Sequence, residues 1–401
     1  MGRKEKISLS LLVVFCLVGM LILIILNNHR LIGSKSLNGN KIDKNNKEIK
    51  EVIHSEFELD KYIEFNERFE KFLNNTDRLD LSSGDTVWFE ARNQCYFAAN
   101  NNRIHRLKNG NYVISAHYPS SFIAIYSSSG RFIREIGKKG DGPGEFRNPN
   151  FIDIKNDTIY CYDFGKKVIR YLPDDKFIDE FRITSRSYFC SDFKVSPING
   201  SIIFYNVFLN LRSHILSILS LNKDNKTLLS DGDFGLMNDV SVVSRIYDVR
   251  GLEVCKNGYI FALDPQRFGY TVFNPDGKEL ISFYNEKFGK LKLLKKISKL
   301  DMTNQQKYND LFWSHSRCRF IHYLGKGILG ISVENPKRKG DKTIPFYYTF
   351  WRVDGEYLGY LKCAHRIVDG HDGTLYYWIE ELPKLENGMY GNPMLVSVKV
   401  F

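Results

Sequence analysis

The sequence predicts an all-β array of repeated four-stranded units closing into a ring, preceded by an apolar helix at the N-terminus. Three observations predict it: a hairpin pattern that recurs along the chain, a turn-plus-strand piece upstream of each hairpin, and a composition rich in strand formers. With 43% hydrophobic and 14% aromatic residues, including 23 Tyr and 29 Phe, the 401-residue chain can bury a large core, and its residue types favour pleated strands. Length does not choose the number of domains, because β architectures often run past about 200 residues as one unit.

In the hairpin pattern, a large apolar residue is followed by a turn residue and then by two spaced apolar residues. Tyr126, Gly130, Ile133 and Ile136 give the first copy, and Tyr171, Asp175, Ile178 and Phe181 the second. Leu221, Asn225 and Leu228 give a shorter third; Phe273, Gly277, Leu280 and Phe283 and then Trp351, Gly355, Leu358 and Leu361 complete the series. Gly, Asp and Asn at the turn position tolerate the positive φ of a tight hairpin. The spacing of roughly 45 to 52 residues, with one longer step before Gly355, is the period of a propeller array.

The upstream piece reads NGNYVIS from Asn109, NDTIYCYD from Asn156, NGSIIFYN from Asn199, NGYIFALD from Asn257 and DGTLYYW from Asp372. The last copy announces a sixth unit, with Met394 to Val400 as its third strand and no fourth strand before the chain ends. Residues 85 to 99 have no unit of their own and could supply that strand. Such closure removes the exposed strand edges that invite aggregation. The expectation is a six-bladed β-propeller over residues 85–401.

The long step holds an insertion, residues 288–313, that departs from strand periodicity. Leu291, Leu294, Ile297 and Leu300 lie beside Lys290, Lys292, Lys295, Lys296 and Lys299, the pattern of a basic amphipathic helix between blades four and five. It could pack on the propeller, act as a lid or partner helix, or lie on anionic lipid.

Residues 1–6 form a basic tip with Arg3, Lys4 and Lys6, and residues 7–26 form an apolar run. About 20 apolar residues match a membrane span, against roughly 7 to 15 for the core of a signal peptide. No small-x-small cleavage site follows, so the run reads as an uncleaved signal anchor, and the positive-inside rule leaves the tip in the cytoplasm. The expectation is a single-pass inner-membrane protein with its propeller in the periplasm or outside. Residues 27–84 read as a stalk; 34–50 are polar, and between Glu51 and Leu73 apolar residues return among charges, compatible with short helices or an edge strand.

The net charge of +11 reads as a preference for anions or as solvated Lys on strand faces and loops. Cys95, Cys161, Cys190, Cys255, Cys318 and Cys363 follow the anchor at wide spacings and without a C-x-x-C pair. They read as buried thiols rather than a disulfide scaffold, a zinc site or a redox site.

The stretch IGKKGDGPGEFRNP, with Gly137, Gly140, Gly142, Pro143, Gly144, Glu145, Phe146 and Pro149, followed by DTIYCYDFGKKVIRYL, resembles the NHL-repeat signature. The region from about residue 85 onward resembles the six-bladed propellers of Gram-negative bacterial cell envelopes. That resemblance implies the blade count but no single activity. The Gly-rich loop lacks G-x-x-x-x-G-K-[ST] and a following helix, so it reads as a seam between blades and not as a phosphate cradle.

Ligands of propellers gather at a mouth of the central channel. Counting back from the recurring turns places His105, Asp153, Lys194 and Glu253 in one phase of the innermost strands, with apolar residues near Ile321 and Ile367 in blades five and six. The segments leading into the innermost strands carry Arg103, Arg147, Arg186, Arg245, Arg317 and Arg366, a candidate rim for carboxylate, sulfate or phosphate. Asp163, Asn206 and Asp264 end the second strands and read as backbone caps. Resemblance to propeller lactonases and amidating lyases raises a channel metal held by Asp153, Glu253 and His105. Calcium wants about six to eight oxygens, which this set does not supply.

The expected function is therefore a membrane-anchored binding or scaffolding module for a protein, peptide or glycan of the cell envelope, with no nominated catalytic residue and no required cofactor. The alternative is a metal-dependent hydrolase or lyase working in the channel, with calcium as its cofactor. Some NHL propellers bind RNA on a basic face, but the topology argues against nucleic acid as a partner here.

Overall fold

The computed structural model describes residues 42–74, 84–90, 104–116, 122–163, 167–183, 190–206, 214–222, 227–236, 251–264, 268–285, 316–335, 346–379 and 392–401. The predicted anchor (7–26) and insertion (288–313) lie outside these residues. Among the described residues no helix is long and apolar enough to cross a membrane. The chain divides into two units, Met1–Glu51 and Val52–Phe401, and the second holds the β-structure.

Two helices open the described chain, α1 (Ile42–Glu56) and α2 (Ile63–Asn74), joined by a short 3-10 turn. The charged and apolar residues of this stretch, which fit helix or edge strand in sequence, resolve as helix because their apolar members fall on one stripe, with Phe69 and Leu73 buried and Phe65 partly so. Strand β1 (Asp85–Trp88) follows.

Blade one comprises β2 (His105–Arg106), β3 (Tyr112–Ala116), β4 (Phe122–Tyr126) and β5 (Phe132–Ile136). The Gly-rich loop then forms a small parallel pair, β6 (Lys138–Lys139) with β7 (Glu145–Phe146). Blade two is β8 (Pro149–Lys155), β9 (Thr158–Asp163), β10 (Lys167–Tyr171) and β11 (Phe177–Ile183); blade three is β12 (Cys190–Val195), β13 (Ile202–Asn206), β14 (His214–Asn222) and β15 (Thr227–Leu236). Blade four is β16 (Leu252–Val254), β17 (Ile260–Asp264), β18 (Gly269–Phe273) and β19 (Glu279–Tyr284). Blade five is β20 (Arg317–Gly325), β21 (Ile328–Glu334), β22 (Phe346–Arg352) and β23 (Tyr357–Cys363). Blade six takes β24 (Ile367–His371), β25 (Thr374–Ile379) and β26 (Met394–Lys399) from the C-terminus and β1 from the N-terminus.

That last pairing is the closure expected from the missing fourth strand: β1 runs antiparallel to β26, with Asp85 opposite Ser397 and Trp88 opposite Met394. Phe89, just past β1, packs edge-on against Tyr112 and Tyr126 of blade one and against Trp378 of blade six, so one side chain bolts first and last blades together. Blades two and three are further joined at their rims, where β11 and β15 pair in parallel.

The hairpin turns carry the backbone the sequence pattern requires. Gly130, Asp175, Gly277 and Gly355 all have positive φ. At two of them glycine is also needed for space: a Cβ on Gly130 would lie 1.8 Å from the carbonyl oxygen of Trp88, and one on Gly355 would lie 2.0 Å from the ring of Phe283. In both cases the outer strand of the preceding blade rests on the turn.

Between adjacent blades the facing sheets bury apolar side chains. Phe151, Tyr162 and Phe181 of blade two meet Phe193, Phe204 and Leu219 of blade three in one such layer. Cys161, Cys255, Cys318 and Cys363 are free and buried. Burial pushes their thiols upward, that of Cys363 to about 12, so none is a reactive thiolate near neutral pH.

The N-terminal segment straps three blades together. Phe57 sits edge-on to Tyr259 and Phe261 of blade four and Tyr323 of blade five, and the amide of Asn257 donates to the carbonyl of Glu56. Phe69 then packs on Phe350 of blade five and on Phe401, which follows blade six.

Candidate functional site

The innermost strands β2, β8, β12, β16, β20 and β24 each turn into the second strand of their blade through a residue of positive φ: Gly110, Asp157, Gly200, Gly258, Gly327 and Gly373. The same distance beyond each turn lie Val113, Tyr160, Ile203, Phe261, Gly330 and Tyr376. The residues opposite them across the antiparallel ladder are His105, Asp153, Lys194, Glu253, His322 and Asp369. Every blade therefore places a polar or ionisable group at one level of the channel wall. The four expected from sequence hold that position, whereas Ile321 and Ile367 do not. His322 and Asp369 stand as far before their turn residues Gly327 and Gly373 as the others do before theirs. Blade five, however, turns through Gly325, Lys326 and Gly327 without the Asn-Gly or Asn-Asp mark of blades one to four, and Asp369 lies two residues beyond Ile367 past a register shift.

Blades two to four form one arc of this ring. The Lys194 ammonium lies 3.9 Å from a carboxylate oxygen of Asp153 and 3.9 Å from one of Glu253, and the three side chains keep 13 to 15% of their accessible surface. Both distances exceed a hydrogen bond, so the pairing acts through the field of partly exposed charges. Asp153 also accepts a 2.7 Å bond from the Val195 amide, which ties β8 to β12. His105 is half-buried at the same level.

The other arc is locked. His322 is fully buried, with Nδ1 3.0 Å from the Tyr348 hydroxyl and Nε2 3.3 Å from the Val368 carbonyl. Its neighbour Asp369 lies 3.9 Å away, and accepts from the amides of Ile104 in blade one and of Gly370, each at 2.8 Å. This carboxylate thus spans the seam where the ring closes. Asp192 does the same between blades three and four, accepting from the Leu252 amide at 3.0 Å.

The Arg rim is drawn into local ion pairs wherever its side chains are described. Arg147 is exposed and pairs with Asp141 of the Gly-rich loop. Arg366 lies over Phe346 and donates to Glu334 at 3.2 Å. Glu334, 2% exposed, also faces the guanidinium of Arg319 at 3.6 Å, a residue that sequence reasoning passed over in favour of Arg317. Arg317 opens β20 with its side chain outside the described set, and Arg103, Arg186 and Arg245 lie outside the described residues. Asp163 accepts from the amides of Arg147 and Asn148 at 3.1 and 2.6 Å, so it caps the loop that feeds its own blade.

Among the described residues no three His, Cys, Asp or Glu side chains are grouped to hold a metal ion. The set Asp153, Glu253 and His105 does not suit calcium, because Lys194 already places a cation between the two carboxylates and few oxygens converge there.

Known proteins place this architecture. A solved structure from Bacteroides fragilis NCTC 9343, named for export, is 13% identical, covers 81% of this chain and 98% of its own, and superposes with a TM-score of 0.55. Virginiamycin B lyase from Staphylococcus aureus, solved as a catalytically inactive variant with quinupristin, is 11% identical over 78% of this chain and 99% of its own, with a TM-score of 0.45. No curated protein shows a significant match. The profile of the DUF5128 family, described as 6-bladed beta-propeller, matches residues 90–325, and with the ring closed through β1 and β26 the chain belongs to that family of six-bladed propellers.

Proposed function

We propose that this protein is a membrane-anchored, extracytoplasmic binding module, an NHL-like propeller of a Gram-negative cell envelope that engages a protein, peptide or glycan at the channel arc formed by Asp153, Lys194 and Glu253. The observation that carries the reading is the arc itself. Three innermost strands bring two carboxylates and an ammonium to one level, each keeping 13 to 15% of its side-chain surface in contact with water. Such an arc offers both charge signs to a polar ligand without supplying a nucleophile–base pair or a metal set. Attachment rests on the apolar run at residues 7–26 and the cationic tip before it.

Peptide and glycan arrays probed with the full-length protein in detergent test the reading. Hits should weaken at least about tenfold in Lys194→Ala and in Asp153→Asn, the scale of one lost charge-assisted hydrogen bond. Hits indifferent to both substitutions would place the ligand elsewhere. Stoichiometric calcium or zinc that disappears in Asp153→Ala or Glu253→Ala would turn the assignment toward a metal-dependent hydrolase or lyase. A C-terminal tag that resists protease in cells with a permeabilised outer membrane would overturn the extracytoplasmic placement.

A further inference from the structure

The strap of residues 52–74 is built unevenly. Its first part is well fitted: Ile53 and Leu59 are buried, Phe57 lies among three aromatic rings, and Leu59 lies so close to Gly327 that a Cβ there would stand 2.2 Å from its side chain. Its second part, α2, lies along the seam of blades five and six, with Phe69 against Phe350 and Leu73 against Gly359. The buried stripe of α2 begins with Asn66, only 4% exposed, and neither polar atom of its side chain has a hydrogen-bond partner. Docking this helix therefore strips water from an amide and returns nothing to it, a penalty that undocking removes.

The segment is fastened on both sides of that weak point. Phe57 holds it at blades four and five, and β1 holds it on β26. Release of α2 alone would uncover the apolar seam around Phe350, Leu358 and Leu361, to which Phe69 and Leu73 contribute, and leave the ring closed.

We propose that α2 is a releasable clasp on the seam of blades five and six, which opens locally while the propeller stays folded, with Asn66 setting how readily it lets go. The occupant of the seam in the closed state is this helix, and its opening is a conformational step separate from unfolding.

Hydrogen exchange of the full-length protein in detergent, read by mass spectrometry on peptides covering α2, β22, β23 and β26, tests this. The amides of α2 should exchange faster than those of the three strands. Asn66→Leu and the smaller Asn66→Ala should each slow α2 exchange at least about tenfold, the consequence of removing a buried group that docking leaves unsatisfied. The strands should be unchanged, and Asn74→Ala, the same change at an exposed position of the helix, should do much less. The proposal fails if α2 and the strands exchange together, if both Asn66 variants leave α2 exchange unchanged or faster, or if Asn74→Ala has an equal effect.

Discussion

Two arcs of the same ring solve opposite problems with residues at the same register position. Around blades two to four, Asp153, Lys194 and Glu253 stay partly in water and hold one another at 3.9 Å. Around blades five, six and one, His322 and Asp369 are buried and spend their hydrogen-bonding capacity on Tyr348, Val368, Ile104 and Gly370. The difference follows from what each seam has to do. The second arc contains blade six, where the chain's two ends meet through β1 and β26, and Asp369 there takes the Ile104 amide of blade one. In the first arc blades two and three are also joined at their rims by the parallel β11–β15 pair, and Asp153 takes the Val195 amide between them. Its charged groups nevertheless keep some contact with water.

The largest effect should come from the locked side. Glu334 is 2% exposed and faces both Arg319 and Arg366, so Glu334→Ala leaves two cations at a seam with their shared carboxylate gone. A loss of about 3 to 5 kcal/mol is expected, the cost of breaking a buried pair by removing one partner, read as a shift of the urea midpoint at constant slope. A loss comparable to that of an exposed ion pair would mean that Glu334 is not the keystone of the seam.

Next come the two carboxylates that bond across neighbouring innermost strands. Asp369→Ala removes the acceptor for two amides, one of them in the buried closure seam, and about 1 to 3 kcal/mol should be lost. Asp153→Ala removes the acceptor for one amide at a site that water can reach, and the loss should be nearer about 1 kcal/mol. Equal losses measured in parallel would erase the distinction between the arcs.

The open arc was legible in the sequence and the locked one was not. Asp153, Lys194, Glu253 and His105 could be placed by counting from Asn-Gly and Asn-Asp turns that mark the end of each innermost strand. His322 and Asp369 were missed although they stand as far from their turns as the others, because blade five turns through Gly325, Lys326 and Gly327 rather than an Asn-Gly pair and the neighbouring Ile321 and Ile367 fit an apolar strand equally well. The closing strand was visible as a fourth strand missing from blade six and a stretch near residue 85 without a unit. The Arg319–Glu334–Arg366 cluster was not, since Arg366 and Glu334 are partners only once blades five and six are stacked. The strap was ambiguous for a related reason: its apolar stripe fits a helix or an edge strand until the aromatic groove of blades four to six selects the helix.

The smallest stability effect should come from Lys194→Met, and it separates the arcs most sharply. Met keeps most of the side chain's length and apolar stem and removes the charge. The ammonium stands 3.9 Å from each carboxylate, and both keep access to water, so the change in unfolding free energy should stay within about 1 kcal/mol. Ligand binding should nevertheless fall at least about tenfold, because the arc then presents two carboxylates and no cation. A stable variant with lost binding fits an open arc built for a partner. A variant destabilised as much as Asp369→Ala, with binding intact, would show that Lys194 belongs to the scaffold and that the two arcs do the same job.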